Sequence, residues 1–266
     1  MSPLVDPFES FRSEVLKGSD ASLDRLAFLI PACGTGWLDF DYQIGRLDDL
    51  AEEFGGTEAS ELMGWMAIRG FRGNAKQYYD PDNSFLNRVI DRGLGIPISL
   101  SVLAIEVGRR CGIELVGVGL PTEFIVAERD NPDRFHNPFR RRSMTPDDVA
   151  QLILRVAGAD TVLTPAMRAP VAPTAIAARM LANLAHIYAQ TDQLLDLEWV
   201  LRLAVSIPGV AGSVRRQFVS TLARRGRFLE ATEVLVALMA DGSVERSADE
   251  RNADNKMLRQ LRGNLN

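Results

Sequence analysis

Residues 70–127, GFRGNAKQYYDPDNSFLNRVIDRGLGIPISLSVLAIEVGRRCGIELVGVGLPTEFIVA, decide the fold. In the first half, Asp82 or Asn83 can cap a helix running from Ser84 to Asp91, and Gly93 stops it. The next helix is marked at both ends. Pro97 suits a first helical position, where its missing N–H would be unpaired anyway; Arg109 and Arg110 oppose the negative end of the dipole, and Gly112 supplies the stop. Only Ser99, Ser101 and Glu106 interrupt the apolar residues between those ends, so this helix is expected to be buried on most sides and central to its domain. Leu115 to Leu120 and Phe124 to Ala127 then read as short strands separated by Pro121-Thr122-Glu123, with a third strand end around Phe135 to Phe139. A helix on a small antiparallel sheet follows, an α+β core in which Gly117 and Gly119 permit close backbone packing.

Working outward, the chain from Phe8 to about Gly73 has helical periodicity. LDDLAEEF ends at Gly55-Gly56, and Thr57 or Ser60 can cap a helix carrying Leu62, Trp65 and Met66 on one face. On the other side, TPAMRAPVAP (164–173) reads as an interdomain linker because repeated proline resists regular structure. Beyond it the chain superposes on itself with an offset of 34, pairing Tyr188 with Leu222, Ala189 with Ala223, Asp192 with Gly226, Leu195 with Leu229 and Leu201 with Leu235. That is the length of a tetratricopeptide helix pair. Ala189 and Ala223 would let the helices of a unit approach closely, and Asp192-Gln193 and Gly226-Arg227 fall at the turns. Two units cannot bury their own faces and should dock on the preceding domain or another subunit. The expected division is 1–163, a linker at 164–173, and a helical domain with a charged tail at 174–266.

Composition limits the function classes. With 46% hydrophobic and 24% charged residues over 266 positions and a net charge of -5, the chain reads as globular, and its 30 basic residues are dispersed, which argues against nucleic acid. The start, MSPLVDPFES, has no basic segment leading into an apolar run, and no stretch approaches the roughly 18 unbroken apolar residues a membrane span requires. No membrane contact and a cytoplasmic location are expected. Cys33 and Cys111, with only His136 and His186 beside them, are too few for a disulfide framework or a metal site. Asp80, Asp82, Ser84 and Asp91 imitate a calcium loop, but Phe85 stands where its glycine belongs and Asp91 where its bidentate glutamate belongs. GVGLP runs into Pro121 instead of opening a helix, so no dinucleotide fingerprint exists and no cofactor is expected.

GFRGN, YYDPDNSFLN, the GIPISLS turn and helix, GVGLP and the later Asn137-Pro138-Phe139, followed by the repeat, resemble the bacterial Sir-B type family over residues 45–240. Its members join a transglutaminase-like core to a tetratricopeptide-like C-terminus. The resemblance implies a papain-related thiol-enzyme fold, in which a Cys at the start of the central helix is activated by a strand His that an Asp orients. Here the Cys position falls on Pro97, the His of Gly-His-Phe on Glu123, and the Asp of Asp-Pro-Phe on Asn137. Proline has no nucleophile, and glutamate does not replace imidazole as a base at neutral pH unless its pKa is raised.

Ser99 and Ser101 near the helix start are the candidates to supply a hydroxyl, against a bland role satisfying backbone in a buried helix. Cys111 lies where the dipole raises a thiol pKa and reads as packing. His136 neighbours Asn137, but on a strand the two side chains face opposite ways, and a surface or loop histidine is expected. Glu123 either binds a cationic group in a retained cleft or is a solvated turn residue. Arg140, Arg141 and Arg142 at the rim either bind an anion or form a solvated loop. The resulting expectation is a non-catalytic transglutaminase-like module that binds a protein or peptide through its repeats. The alternative is a hydrolase or amidase using Ser99 or a Glu123-activated water. A third possibility has the tail from Arg251 to Asn266 filling the cleft.

Overall fold

In the computed structural model, residues 6–121, 123–157, 164–242 and 246–265 are described. The fold is mixed α+β and mostly helical. The first helices are α1 (Pro7–Val15), α2 (Leu23–Thr35), α3 (Phe40–Phe54) and α4 (Ala59–Ile68). Gly55 ends α3 in the left-handed conformation, as the Gly-Gly breaker predicts. Neither Thr57 nor Ser60 caps α4: its N-cap is Glu58, without a side-chain bond. A two-residue strand β1 (Arg72–Gly73) pairs in parallel with β2 (Leu94–Gly95), which follows α5 (Leu86–Arg92).

The expected cap of α5 is also displaced. The N-cap is Phe85. Asn83 is fully buried and is used instead to fold the loop before α5, donating to the carbonyls of Gln77 and Tyr78 and accepting from Asn74. Asp82 pairs with Arg88 and Arg92.

Helix α6 (Pro97–Arg110) is central, with Pro97 at its first turn and every residue from Pro97 to Gly108 buried. It lies on one face of an antiparallel meander, β3 (Leu115–Gly119), β4 (Phe124–Glu128), β5 (Phe135–Asn137) and β6 (Arg142–Met144), in that spatial order. Phe124 and Val126 join the α6 side, whereas Val118, Ile125, Ala127, Phe135 and Met144 form a second core with Val149, Leu152 and Ile153. Those last three belong to α7 (Pro146–Ala157), which the sequence reading did not anticipate.

The proline-rich stretch is docked along the sheet. It forms one short helix, α8 (Pro165–Arg168), and the Val171 N–H donates to the Gly117 carbonyl at 2.9 Å on the outer edge of β3. Pro165 and Pro173 each stand at the start of a helix, where proline is favoured.

Two helical hairpins follow, α9 (Pro173–Gln190) with α10 (Leu194–Ser206) and α11 (Gly212–Arg224) with α12 (Phe228–Ala240). Their turns repeat in register: Asp192 (φ 56°) and Gly226 (φ 74°) are both left-handed. Gln193 and Arg227 also donate to the carbonyls of Tyr188 and Leu222. Ala189 does not serve helix contact within its unit; it is exposed, while Ala223 is half-buried.

The first hairpin buries its inner face on α1, α2 and α6, and the second packs on α10. One apolar core runs from Phe11 to Leu261, and Trp199 of α10 stacks on Phe85 and packs against Gly34 so closely that a Cβ there would lie 2.8 Å from its ring. The final helix, α13 (Ala248–Gly263), packs on α12 and is tied to α11 by Arg216–Asp254. Among the described residues, no helix is long and apolar enough to cross a membrane.

Candidate functional site

The three positions that the resemblance assigns to a catalytic triad lie on α6, the β3–β4 turn and β5. Pro97 is buried at the first turn of α6. Glu123 is buried too, which corrects the reading of a solvated turn residue. The cation it binds belongs to the chain itself: Arg140 Nη2 donates to Glu123 Oε1 at 2.7 Å. The Arg140 backbone N–H donates to Asn137 Oδ1 at 3.0 Å, so one arginine holds both triad-position residues in place. Among the described residues, the other ends of these side chains, Glu123 Oε2 and Asn137 Nδ2, are buried without a hydrogen-bond partner.

The surroundings of these residues are aromatic and basic. Phe139 is seated over Gly73, where a Cβ would overlap its ring, and Tyr78 meets Phe139 edge-on at 6.3 Å. Burial first, then Glu123, pushes the Tyr78 phenol above its usual range. From below, Arg179 of α9 donates to the carbonyls of Leu120 (2.9 Å) and Glu123 (2.7 Å) and lies over the Phe124 ring. Burial lowers its pKa.

Both serine candidates are committed to structure. Ser99 Oγ donates to the Asn83 carbonyl at 2.5 Å and accepts the Ile96 N–H at 3.1 Å, and Ser101 Oγ donates to the Phe124 carbonyl at 3.3 Å. Both are fully buried. Nor is the arginine run a uniform solvated loop: Arg140 is exposed but pairs with buried Glu123, Arg141 is exposed in a left-handed conformation, and Arg142 begins β6 with Asp148 at 3.9 Å.

His136 is neither on the surface nor in a loop. It is buried in the middle of β5, bonded through Nε2 to Glu128 Oε1 (2.9 Å) and through Nδ1 to Ser143 Oγ (3.0 Å). Pairing with β6, unforeseen in the sequence, is what encloses it. Cys111 is half-buried at the C-terminal end of α6, and burial raises its pKa.

A groove of about 490 Å³ runs along α9, α10 and the start of α11, lined by Leu181, Ala182, Ala185, Ala189, Leu201 and Val214 among others. An aromatic row leads from it to Phe139, two residues after Asn137: His186 to Tyr79 at 5.9 Å, Tyr79 to Tyr78 at 5.4 Å, and Tyr78 to Phe139 at 6.3 Å. Arg179, Tyr78 and Tyr79 were not singled out from sequence. Arg179 lies 56 positions from Glu123, and no local pattern announces the contact.

A UPF0162 protein of Xylella fastidiosa (strain Temecula1) is 40% identical over 132 residues, 47% of this chain and 46% of that protein. A UPF0162 protein of Pseudomonas aeruginosa is 28% identical over 161 residues, 57% and 59% of the two chains. F-box only protein 21 of Homo sapiens is 38% identical over 56 residues, 21% of this chain and 9% of that one. The chain spans about half the length of the bacterial relatives it matches. No solved structure matches it. The profile of the Transglutaminase-like superfamily covers residues 46–182, from α3 through the docked proline stretch to just beyond Arg179, and the chain belongs to that superfamily.

Proposed function

We propose that the protein is a Sir-B type member of this superfamily, without chemistry at the triad positions, that binds a peptide segment of a partner protein at Glu123 and Asn137 and along its tetratricopeptide-like hairpins. The observation that carries this reading is the content of the triad positions: a buried proline, a glutamate held by Arg140, and an asparagine. Buried polar groups are normally bonded, so an unpaired acceptor on Glu123 and an unpaired donor on Asn137 suit a group that both donates and accepts, as a peptide bond does. The row of Tyr78, Tyr79 and His186 supplies flat apolar contact between that point and the α9–α11 groove. Against a hydrolase working at the same positions stand the commitment of Ser99 to Asn83 and of Glu123 to Arg140.

The test is capture from the host's soluble extract by the tagged full-length chain, beside Ala182→Arg, a change at an exposed position lining the groove. A stoichiometric protein retained by the wild type and lost by the variant supports the reading. Identical sets on both columns, or nothing on either, overturn it.

A further inference from the structure

Away from the triad positions, three polar side chains stand on one face of three successive strands. The registers Val126↔His136 and His136↔Ser143 put Val126, His136 and Ser143 on the same side of the sheet, and Glu128, two residues along β4, shares that side. Glu128 Oε1 lies 2.9 Å from His136 Nε2, and Ser143 Oγ lies 3.0 Å from His136 Nδ1. A carboxylate only accepts, so Nε2 carries the ring proton and Nδ1 is left as an acceptor for the Ser143 hydroxyl. His136 is buried, whereas Ser143 is exposed and opens on a cavity of about 240 Å³ lined by Asp133, Arg134, His136, Ser143, Met144 and Thr145.

We infer that Ser143, His136 and Glu128 form a serine nucleophile, its base and the positioning carboxylate for transfer of a small acyl group from an ester. This goes beyond the binding reading above and shares no residue with the triad positions. The roles follow from the geometry of an activated hydroxyl whose base is oriented by a third group. As Ser143 Oγ bonds to the acyl carbon, its proton passes to His136 Nδ1; the ester C–O bond breaks and the alkoxide leaves with that proton. Water, deprotonated by the same nitrogen, then cleaves the acyl–serine ester and restores the hydroxyl. The cavity is smaller than the roughly 300 Å³ at which drug-sized ligand pockets begin, which limits the acyl group to a few heavy atoms. Burial holds the His136 imidazole neutral at pH 7, the state a base requires.

A fluorophosphonate probe tests this by intact mass and peptide mapping: Ser143 Oγ displaces fluoride, which leaves with the serine proton. The chain should gain one adduct, mapped to Ser143 and absent in Ser143→Ala, whose fold is checked by circular dichroism. His136→Gln should slow it by at least about 100-fold. Nitrogen NMR of the two histidines gives a second readout independent of any variant of His136. The wild type should show His136 protonated on Nε2 only, and Glu128→Ala should mix the tautomers and slow labelling. No adduct, an adduct retained in Ser143→Ala, or a His136 ring protonated on Nδ1 overturns the inference.

Discussion

Arg179 Nη2 lies 2.7 Å from the carbonyl oxygen of Glu123, joining the helix after the proline stretch to the turn between β3 and β4. The same nitrogen donates to Leu120, so one guanidinium closes the β3–β4 turn from both sides. Hydrogen bonds from a charged donor are worth about 1.5–3 kcal/mol. Arg179→Ala should cost about 2 kcal/mol and lower the melting temperature by about 4–8 °C. An unchanged thermal unfolding curve would remove this arginine from the architecture of the site.

Glu123 and Arg140 form a pair with one buried and one half-exposed member. Removing the arginine leaves a buried carboxylate unpaired, so Arg140→Ala is expected to cost about 1–3 kcal/mol, more than Glu123→Gln. The double variant should recover more than half of that loss, because the neutral amide tolerates the missing cation. Denaturant unfolding of the four proteins gives the coupling directly; strict additivity would contradict the pairing.

Burial lowers the His136 pKa below its ordinary value of 6.5, against the smaller opposing effect of Glu128. The unfolded chain therefore binds more protons than the folded one as pH falls below about 6.5. The stability contributed by the neutral ring is present above that pH and is lost as the pH drops through the folded value, at no more than about 1.4 kcal/mol per pH unit. Stability measured from pH 7.5 to 5 should fall less steeply for His136→Gln than for the wild type, and a steeper fall would reverse the sign.

Burial, with a smaller push from Asp6, raises the Cys33 thiol to about 12, and burial alone raises that of Cys111. Neither is a reactive thiolate at pH 8. Titration with a disulfide reagent should find no fast thiol in the folded protein, with half-buried Cys111 reacting before Cys33 and Cys33 only on unfolding. A rapid reaction at Cys33 would show that α2 opens readily.

Signals confined to a few neighbouring residues were readable in the chain. Pro97 and Gly112 bound α6, Gly93 stops α5, and the offset of 34 returns as two left-handed turns at Asp192 and Gly226. What escaped depends on partners distant in sequence. His136 looked like a surface residue because β6, its covering strand, is three residues long and carries no β-rich run. Asn83 looked like a cap because its buried bonds to Gln77, Tyr78 and Asn74 arise only when the loop closes. Helix α7 is a different failure. Its proline start, two acidic first-turn residues and apolar Val149, Leu152 and Ile153 were all present in the sequence.

The contact between Val171 and Gly117 bears on how the protein avoids its own copies. β3 is an outer strand of the meander, and an uncovered outer strand offers unpaired backbone to any passing chain. The proline stretch lies along that border and brings no new border of the same kind, since Pro165, Pro170 and Pro173 have no N–H to donate. Severing the chain there would leave a sheet with an adhesive rim beside an open apolar face, and aggregation would be the first symptom.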